Sequence, residues 1–258
     1  MKLYIPPKNS HKGQNGRLLL IGGSDLFHAA SLWALKVASR IVDLVHYAST
    51  PENNRIVKEL KKEFRDGIVI SRKDIDSYIE EDDCILIGPG MERNEETKTL
   101  TNTLLTKHPH KKWVIDAGAI QMLSLDNIPK GAIVTPHKYE FEKLFNAKPT
   151  EENIKKLSMQ YGITILVKGK EDIVCSEERC RIIKGGNAGM TKGGTGDVLA
   201  GLIAALFCKN DAFTASYMAS YINKKAGDRL FKKVGYYFNA SDLADEIPKV
   251  MKEIVLRS

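Results

Sequence analysis

No run of the 258 residues is apolar for the roughly 20 positions that a bilayer-spanning helix requires. The opening MKLYIPPKNSHKGQNG has no apolar core of secretory-leader length, so a cytoplasmic location and no membrane partner are expected. Cysteine is scarce: Cys84, Cys175, Cys180 and Cys208 form no C-x-x-C pair and no zinc spacing. Reduced, structural thiols are therefore expected, with Cys175 and Cys180 placed to face each other across a hairpin. Aromatics make up only 7% of the chain, and no helix-turn-helix, zinc-finger or RNP-like pattern is legible, which argues against a nucleic-acid partner. Internal repeats, low-complexity tracts and a dividing linker are also missing, so residues 1–258 are expected to form a single domain.

What is present is an ordinary globular composition, 43% hydrophobic, with a net charge of +7 spread over every segment. General surface solvation accounts for most of that charge. A basic surface also favours approach of polyphosphate ligands such as nucleotides, and nucleic-acid binding is the other functional class it permits. Short apolar runs at Arg17–Ile21, Leu44–Ala48, Ile68–Ile70, Cys84–Gly88, Trp113–Asp116, Ala132–Thr135 and Ile163–Lys168 read as buried parallel strands. Amphipathic stretches near Ala29–Ile41, Asn53–Phe64, Glu95–Lys107, Lys138–Phe145 and Glu151–Tyr161 read as the helices between them. The alternation predicts a three-layer α/β/α fold with a mostly parallel sheet. After Lys168 the pattern changes. Asp172–Cys175 and Arg181–Lys184 flank Ser176-Glu177-Glu178-Arg179 as a hairpin, and the chain from Thr195 onward is mainly helical.

The densest chemical signal is Asn187–Gly201, NAGMTKGGTGDVLAG. Gly193, Gly194 and Gly196 lack Cβ atoms, so backbone amides there can face an anion closely. The following Val198–Phe207, VLAGLIAALF, reads as a buried helix, which places those amides at the positive end of a helix dipole. Gly193, Gly194, Thr195 and Gly196 are thus candidates for an anion hole. Asp197 lies beside it, placed to accept a proton from a substrate hydroxyl during phosphoryl transfer. A plain glycine-rich connection with Asp197 as helix cap would use the same residues. The loop is neither the phosphate loop G-x-x-x-x-G-K-[ST] nor the dinucleotide fingerprint.

GGTGDVLAG preceded by NAGM resembles the signature of the ribokinase-like NAD(P)H-hydrate dehydratases. GRLLLIGGS (16–24), GPGMERNEET (88–97), VIDAGAI (114–120), IVTPHKYEFEKLF (133–145), ILVKGKEDIV (165–174) and ASDLADEIP (240–248) agree in order along the chain. The resemblance implies an ADP- or ATP-dependent dehydration of hydrated NADH or NADPH, with Mg²⁺ as cofactor. It implies a substrate pocket made by Ala29, Gly90, His137 and Asp197, with Asp197 as catalytic base. It also implies a nucleotide site made by Lys168, Gly169, Lys170, Glu171, Asp172, Asn187 and Gly196; nearby Lys192 is equally a further phosphate contact or a solvated side chain. Glu140 is the candidate metal ligand, because it is a carboxylate close to His137. A homo-oligomer is expected, working with a hydrate epimerase on another polypeptide, since only about fifteen residues precede the first strand.

Read from the residues alone, these positions also admit plain roles. Gly88-Pro89-Gly90 is equally a turn, Glu140 a favourable charge in a first helical turn, and the segment around Lys168 a solvated bend. The chain departs from the family at Leu26-Phe27-His28-Ala29, where His28 replaces the usual glycine, and at Ile41, where another glycine is common. An imidazole there could narrow the pocket mouth, meet the substrate diphosphate, or equally stand partly exposed with no role. Hydroxyethylthiazole and hydroxymethylpyrimidine kinases of the same fold are the competing enzymes; they would leave the phosphate on a primary alcohol.

Overall fold

The computed structural model describes residues 1–256. The chain runs β1 (Arg17–Ile21), α1 (His28–Ala38), β2 (Leu44–Ala48), α2 (Pro51–Glu59), β3 (Ile68–Ile70), α3 (Ile75–Glu81), β4 (Cys84–Ile87), α4 (Glu95–Lys107), β5 (Lys112–Ile115), α5 (Ala117–Met122), β6 (Ile133–Val134), α6 (Lys138–Phe145), α7 (Glu151–Tyr161), β7 (Thr164–Val167), β8 (Asp172–Cys175), β9 (Cys180–Ile183), α8 (Thr195–Phe207), α9 (Ala212–Val234) and α10 (Ala240–Leu256). These strands form one sheet ordered β3-β2-β1-β4-β5-β6-β7-β8-β9, parallel from β3 through β7 and antiparallel through the terminal hairpin.

Strand residues alternate between two cores, which is why the strands read as unbroken apolar runs. Leu18, Leu20, Tyr47, Leu86, Val114 and Leu166 point to one face and pack on α1, α8, α9 and α10. Leu19, Ile21, Ile85, Ile87, Trp113, Ile115 and Ile165 point to the other and pack on α3 to α7. Every residue of α8 from Val198 to Phe207 is buried. That helix is apolar all round because it is wedged between the sheet and its helical neighbours rather than lying on the surface.

The expected three layers and terminal hairpin are present, with most strand and helix bounds within three residues of those expected; the helix expected over Asn53–Phe64 instead covers Pro51–Glu59, because the chain tightens into a 3₁₀ turn at Leu60–Lys62. The helix expected over Ala29–Ile41 covers His28–Ala38. Two short helices, α3 and α5, are additions; seven and six residues give too little periodicity to stand out in sequence. The cysteine expectation needs a correction. Cys175 and Cys180 are joined by a disulfide because the β8–β9 register sets them directly opposite each other, whereas Cys84 and Cys208 are free and buried. Among the described residues no helix is long and apolar enough to cross a membrane.

Gly88, directly after β4, has φ of +124°, and a Cβ added there would lie 1.8 Å from the Asp116 carbonyl oxygen. Gly131 has φ of +78° with nothing within 4 Å. Gly88→Ala therefore combines backbone strain with a backbone clash and should cost roughly 2–5 kcal/mol. Gly131→Ala incurs the strain alone, about 1–2 kcal/mol. Urea midpoints of the two variants at unchanged slope check the difference; equal losses would mean that the β4–β5 approach can relax.

Candidate active site

The sheet changes its winding direction between β1 and β4: from β1 the chain adds β2 and β3 on one side, and from β4 it adds β5 to β7 on the other. Loops leaving the carboxyl ends of two such strands diverge and open a crevice. Gly22-Gly23 leaves β1 and Gly88-Pro89-Gly90 leaves β4, and the Gly23 amide donates to the Pro89 carbonyl at 2.7 Å. A Cβ at Gly90 would lie 2.8 Å from Phe27 O and 3.0 Å from the Ala30 Cβ. Gly90 is therefore pressed against the start of α1, where Ala29 lies exposed. His28, the first residue of α1, has a buried Nδ1 with no partner.

Four charged residues converge beyond β5, β6 and β7. Lys168, following β7, places its ammonium 2.6 Å from Asp116 Oδ1, and Thr135 donates to the same oxygen at 2.7 Å. Asp116 is 1% exposed, follows β5, and is succeeded by Ala117 at φ of 45°, a left-handed turn that starts α5. Glu140 is buried in the first turn of α6. Its Oε2 accepts from the His137 amide at 2.9 Å and its Oε1 from Gln121 Nε2 at 2.9 Å, while its own amide donates to His137 Nδ1 at 3.2 Å. The His137 side chain is half exposed with Nε2 3.6 Å from Glu140 Oε1, and its backbone bridges to that of Lys168.

Asp197 stands in the first turn of α8, with Gly194 rather than itself as the cap residue. Its carboxyl is pushed up to about 6, first by burial and then by the Asp116 charge, with Lys168 opposing and Glu140 adding to the rise. Lys168 is the counterpart: burial disfavours its charge, but the carboxylates of Asp116, Glu140 and Asp197 more than offset this and raise its pKa above the usual lysine value. A carboxyl that titrates near 6 is a competent base at neutral pH and still holds a proton strongly enough to matter.

The glycine loop is fixed from behind. A Cβ at Gly194 would meet the Trp33 ring at 2.4 Å, and one at Gly189 the Phe238 ring at 2.5 Å. The Thr195 hydroxyl ties the loop to Met190 O at 2.7 Å and to Lys192 O at 2.9 Å. Intrahelical bonding in α8 begins with the Val198 amide on Gly194 O. The amides of Gly193, Gly194 and Gly196 have no acceptor among the described residues, while that of Thr195 turns toward Lys192 O at 3.4 Å. A Gly196 Cβ would stand 3.8 Å from the Lys168 ammonium, so free amides and a cation share one corner with Asp197.

A cavity of about 610 Å³ opens from this corner. Of the nucleotide candidates, Lys168, Gly169, Lys170, Asp172, Asn187 and Gly196 line it. Glu171 does not; it is exposed and pairs with Lys184. Lys192 is also absent from the lining, its ammonium held by Tyr236 O and over the Phe238 ring. Sequence reasoning missed Asp116, Gly185, Gly186, Asn223 and Lys224. Asp116 could have been found, since it is the one carboxylate ending an apolar strand run on the side where ligands bind. No local pattern marks Asn223 or Lys224 within α9.

The family model for NAD(P)H-hydrate dehydratase matches residues 18–249. The chain belongs to this family. It is 43% identical over 253 residues to the bifunctional NAD(P)H-hydrate repair enzyme Nnr of Methanocaldococcus jannaschii, covering 95% of this chain and 50% of that protein. The chain thus spans about half the length of the curated relatives it matches first. The ADP-dependent (S)-NAD(P)H-hydrate dehydratase of Cenarchaeum symbiosum is 30% identical over 98% of this chain and 94% of its own length. A crystal structure of the ADP/ATP-dependent NAD(P)H-hydrate dehydratase from Bacillus subtilis, co-crystallized with ATP and Mg²⁺, superposes with a TM-score of 0.84 at 26% identity, covering 96% and 93% of the two chains. As a member of the dehydratase family, the chain has the ribokinase-like three-layer fold.

The charge cluster sets the titration of Asp197 with a defined sign. Asp116→Asn removes a charge that raises the Asp197 pKa, so its midpoint should fall below about 6. Lys168→Met removes the charge that lowers it, and the midpoint should rise. Carbon-13 carboxyl NMR of the two variants checks both directions; an unchanged midpoint in both would show that burial alone governs Asp197.

Proposed function

We propose that the chain catalyses the nucleotide-dependent dehydration of hydrated NADH or NADPH, the (S)-form NAD(P)H hydrate, back to NADH or NADPH. The arrangement that carries this reading is the carboxyl of Asp197, its pKa raised to about 6, next in the chain to the free amide of Gly196, which lines the cavity together with Lys168. A base next to an anion site is what a phosphoryl transfer to a hydroxyl requires. The relatives' names supply the substrate class; in the Cenarchaeum symbiosum protein the reaction is ADP-dependent.

In this reading the nucleotide enters the 610 Å³ cavity with its terminal phosphate toward Gly193, Gly194 and Gly196. The dihydronicotinamide end of the hydrate lies in the crevice of Gly90, Ala29 and His137. Asp197 removes the proton of the ring hydroxyl as its oxygen attacks the terminal phosphorus, and the bond to the bridging oxygen breaks to release AMP from ADP or ADP from ATP. Hydroxide is a poor leaving group and phosphate a good one. The C–O bond of the phosphate ester then breaks with loss of a ring proton, which gives inorganic phosphate and NAD(P)H. Lys168 neutralises charge on the transferring group and is held in place by Asp116, which Thr135 in turn fixes by donating to the same oxygen.

Mg²⁺ accompanying the nucleotide would be held by the phosphates and one carboxylate, since among the described residues no group of three metal-ligating side chains is assembled. Asp116 would hold it through Oδ2, which accepts no hydrogen bond, more directly than Glu140, whose two oxygens are both engaged. When bound, the ion supplies neutralisation of phosphate charge.

Incubation with hydrated NADH or NADPH and either ADP or ATP should restore dihydronicotinamide absorbance with stoichiometric release of inorganic phosphate. Phosphate retained on an alcohol product would establish a kinase of the thiazole or pyrimidine type instead. Asp197→Asn should lower turnover by about 10²- to 10⁴-fold while nucleotide affinity changes little. Equal loss of both would make Asp197 structural. Because the base must be ionised, kcat/KM of the unmodified chain should fall as pH drops through about 6. A profile flat down to pH 5 would remove Asp197 from the base role.

A further inference from the structure

The side of α9 that meets the cavity wall presents four polar residues, Ser220, Asn223, Lys224 and Asp228, separated by spacings that keep them on one face. Three are fully engaged. Ser220 donates to Asp172 Oδ2 at 2.7 Å, Lys224 donates to the carbonyls of Gly169 and Lys170 at 3.1 Å each and pairs with Asp172, and Asp228 accepts from the Gly186 amide at 3.1 Å. Asn223 differs. It lines the cavity and is only 4% exposed, yet its side-chain amide bonds to no described residue, and Oδ1 is enclosed without a donor. An enclosed amide oxygen with no donor is costly, and a ligand supplying one removes that cost.

The chemistry of an amide restricts what can satisfy it. Phosphate offers acceptors only and leaves Oδ1 unmet. Adenine presents a donor, the exocyclic N6 amine, beside an acceptor, N7, and an asparagine amide matches that pair with both of its atoms. Guanine and hypoxanthine present O6 and N7 on the same edge, two acceptors facing Oδ1. The apolar side chains of Met190 and Leu199 and the bare backbone of Gly185 and Gly186 line the same cavity and suit a flat ring, while Lys168 and Gly196 mark its phosphate corner.

We propose that Asn223 selects the base of the nucleotide, with Oδ1 accepting from adenine N6 and Nδ2 donating to N7. The inference rests on the reading of this cavity as the nucleotide site. Asn223 is then a specificity residue supplied by α9, outside the glycine loop and the strand ends.

Isothermal titration of the full chain with ADP and with IDP, which carries hypoxanthine, tests it for the unmodified protein, Asn223→Leu and Asn223→Ala, with melting curves to confirm folding. The unmodified chain should prefer ADP by roughly 5- to 150-fold, the discrimination of one bidentate pair. Both variants should bring the ratio close to one, mainly by weakening ADP. A preference that survives in the folded variants would overturn the proposal and give base selection to backbone groups. Equal binding of ADP and IDP by the unmodified chain would also overturn it, leaving the nucleotide reading intact and pointing to a ribose hydroxyl as the donor. Failure of the unmodified chain to bind either nucleotide would take down the nucleotide reading together with the inference.

Discussion

A lysine ammonium enclosed by three carboxylates is the constraint on which the site is organised. Burial of Lys168 is offset by the charges of Asp116, Glu140 and Asp197, which raise its pKa, and the charge of Lys168 in turn opposes the upward push on Asp197. The four side chains come from the ends of β5 and β7 and the starts of α6 and α8. No one of them can move without changing the electrostatic environment of the others, so the proton affinity of the base is a property of the whole sheet edge rather than of the loop that carries it. Removal of Lys168 leaves three carboxylates without an opposing charge in a poorly solvated corner, which is a larger disturbance than the loss of a single contact.

The loop can present its amides because everything behind it is full. Trp33 on α1 occupies the space beside Gly194, Phe238 the space beside Gly189, and α1 crosses α8 so closely that a Cβ at Gly201 would lie 2.5 Å from Ala34 O. Such packing leaves the glycine backbone one direction in which to face, toward the cavity. The apolar character of α8 and the exposure of its first amides are therefore linked: the helix is held by burial of Val198–Phe207, and its N-terminus is left free for an anion. Anchoring by hydrophobic contact suits this purpose, because it uses none of the polar groups that the ligand needs.

Much of this was legible beforehand. The apolar strand runs gave β1, β2, β3 and β8 at the bounds found, and the periodicity gave α4, α6 and α7 likewise. The GGTGD segment marked a helix start with free amides and a carboxylate beside them, because glycine content and a following apolar helix are local properties. The Cys175–Cys180 pairing was legible as a facing pair but not as a bond, since cysteine spacing says nothing of the cross-strand register that sets the two opposite each other. Glu171 and Lys192 mark the boundary. They look like any charges near a phosphate site. Their roles depend on whether the side chain turns toward the cavity or away from it, and a neighbour distant in sequence decides that: Lys184 for Glu171, Tyr236 and Phe238 for Lys192.

From the chain of amino acids alone came the layered architecture, the location of the phosphate-ready loop and the identity of the carboxylate beside it. All three follow from short-range periodicity, from backbone freedom at glycine and from the direction of a helix dipole. The proton affinity of Asp197, the partner of Lys168, the isolation of Asn223 and the closure of the hairpin by a disulfide were decided only by folding. Each depends on burial or on groups brought together from separate segments, and desolvation and Coulomb interaction act through space rather than along the chain.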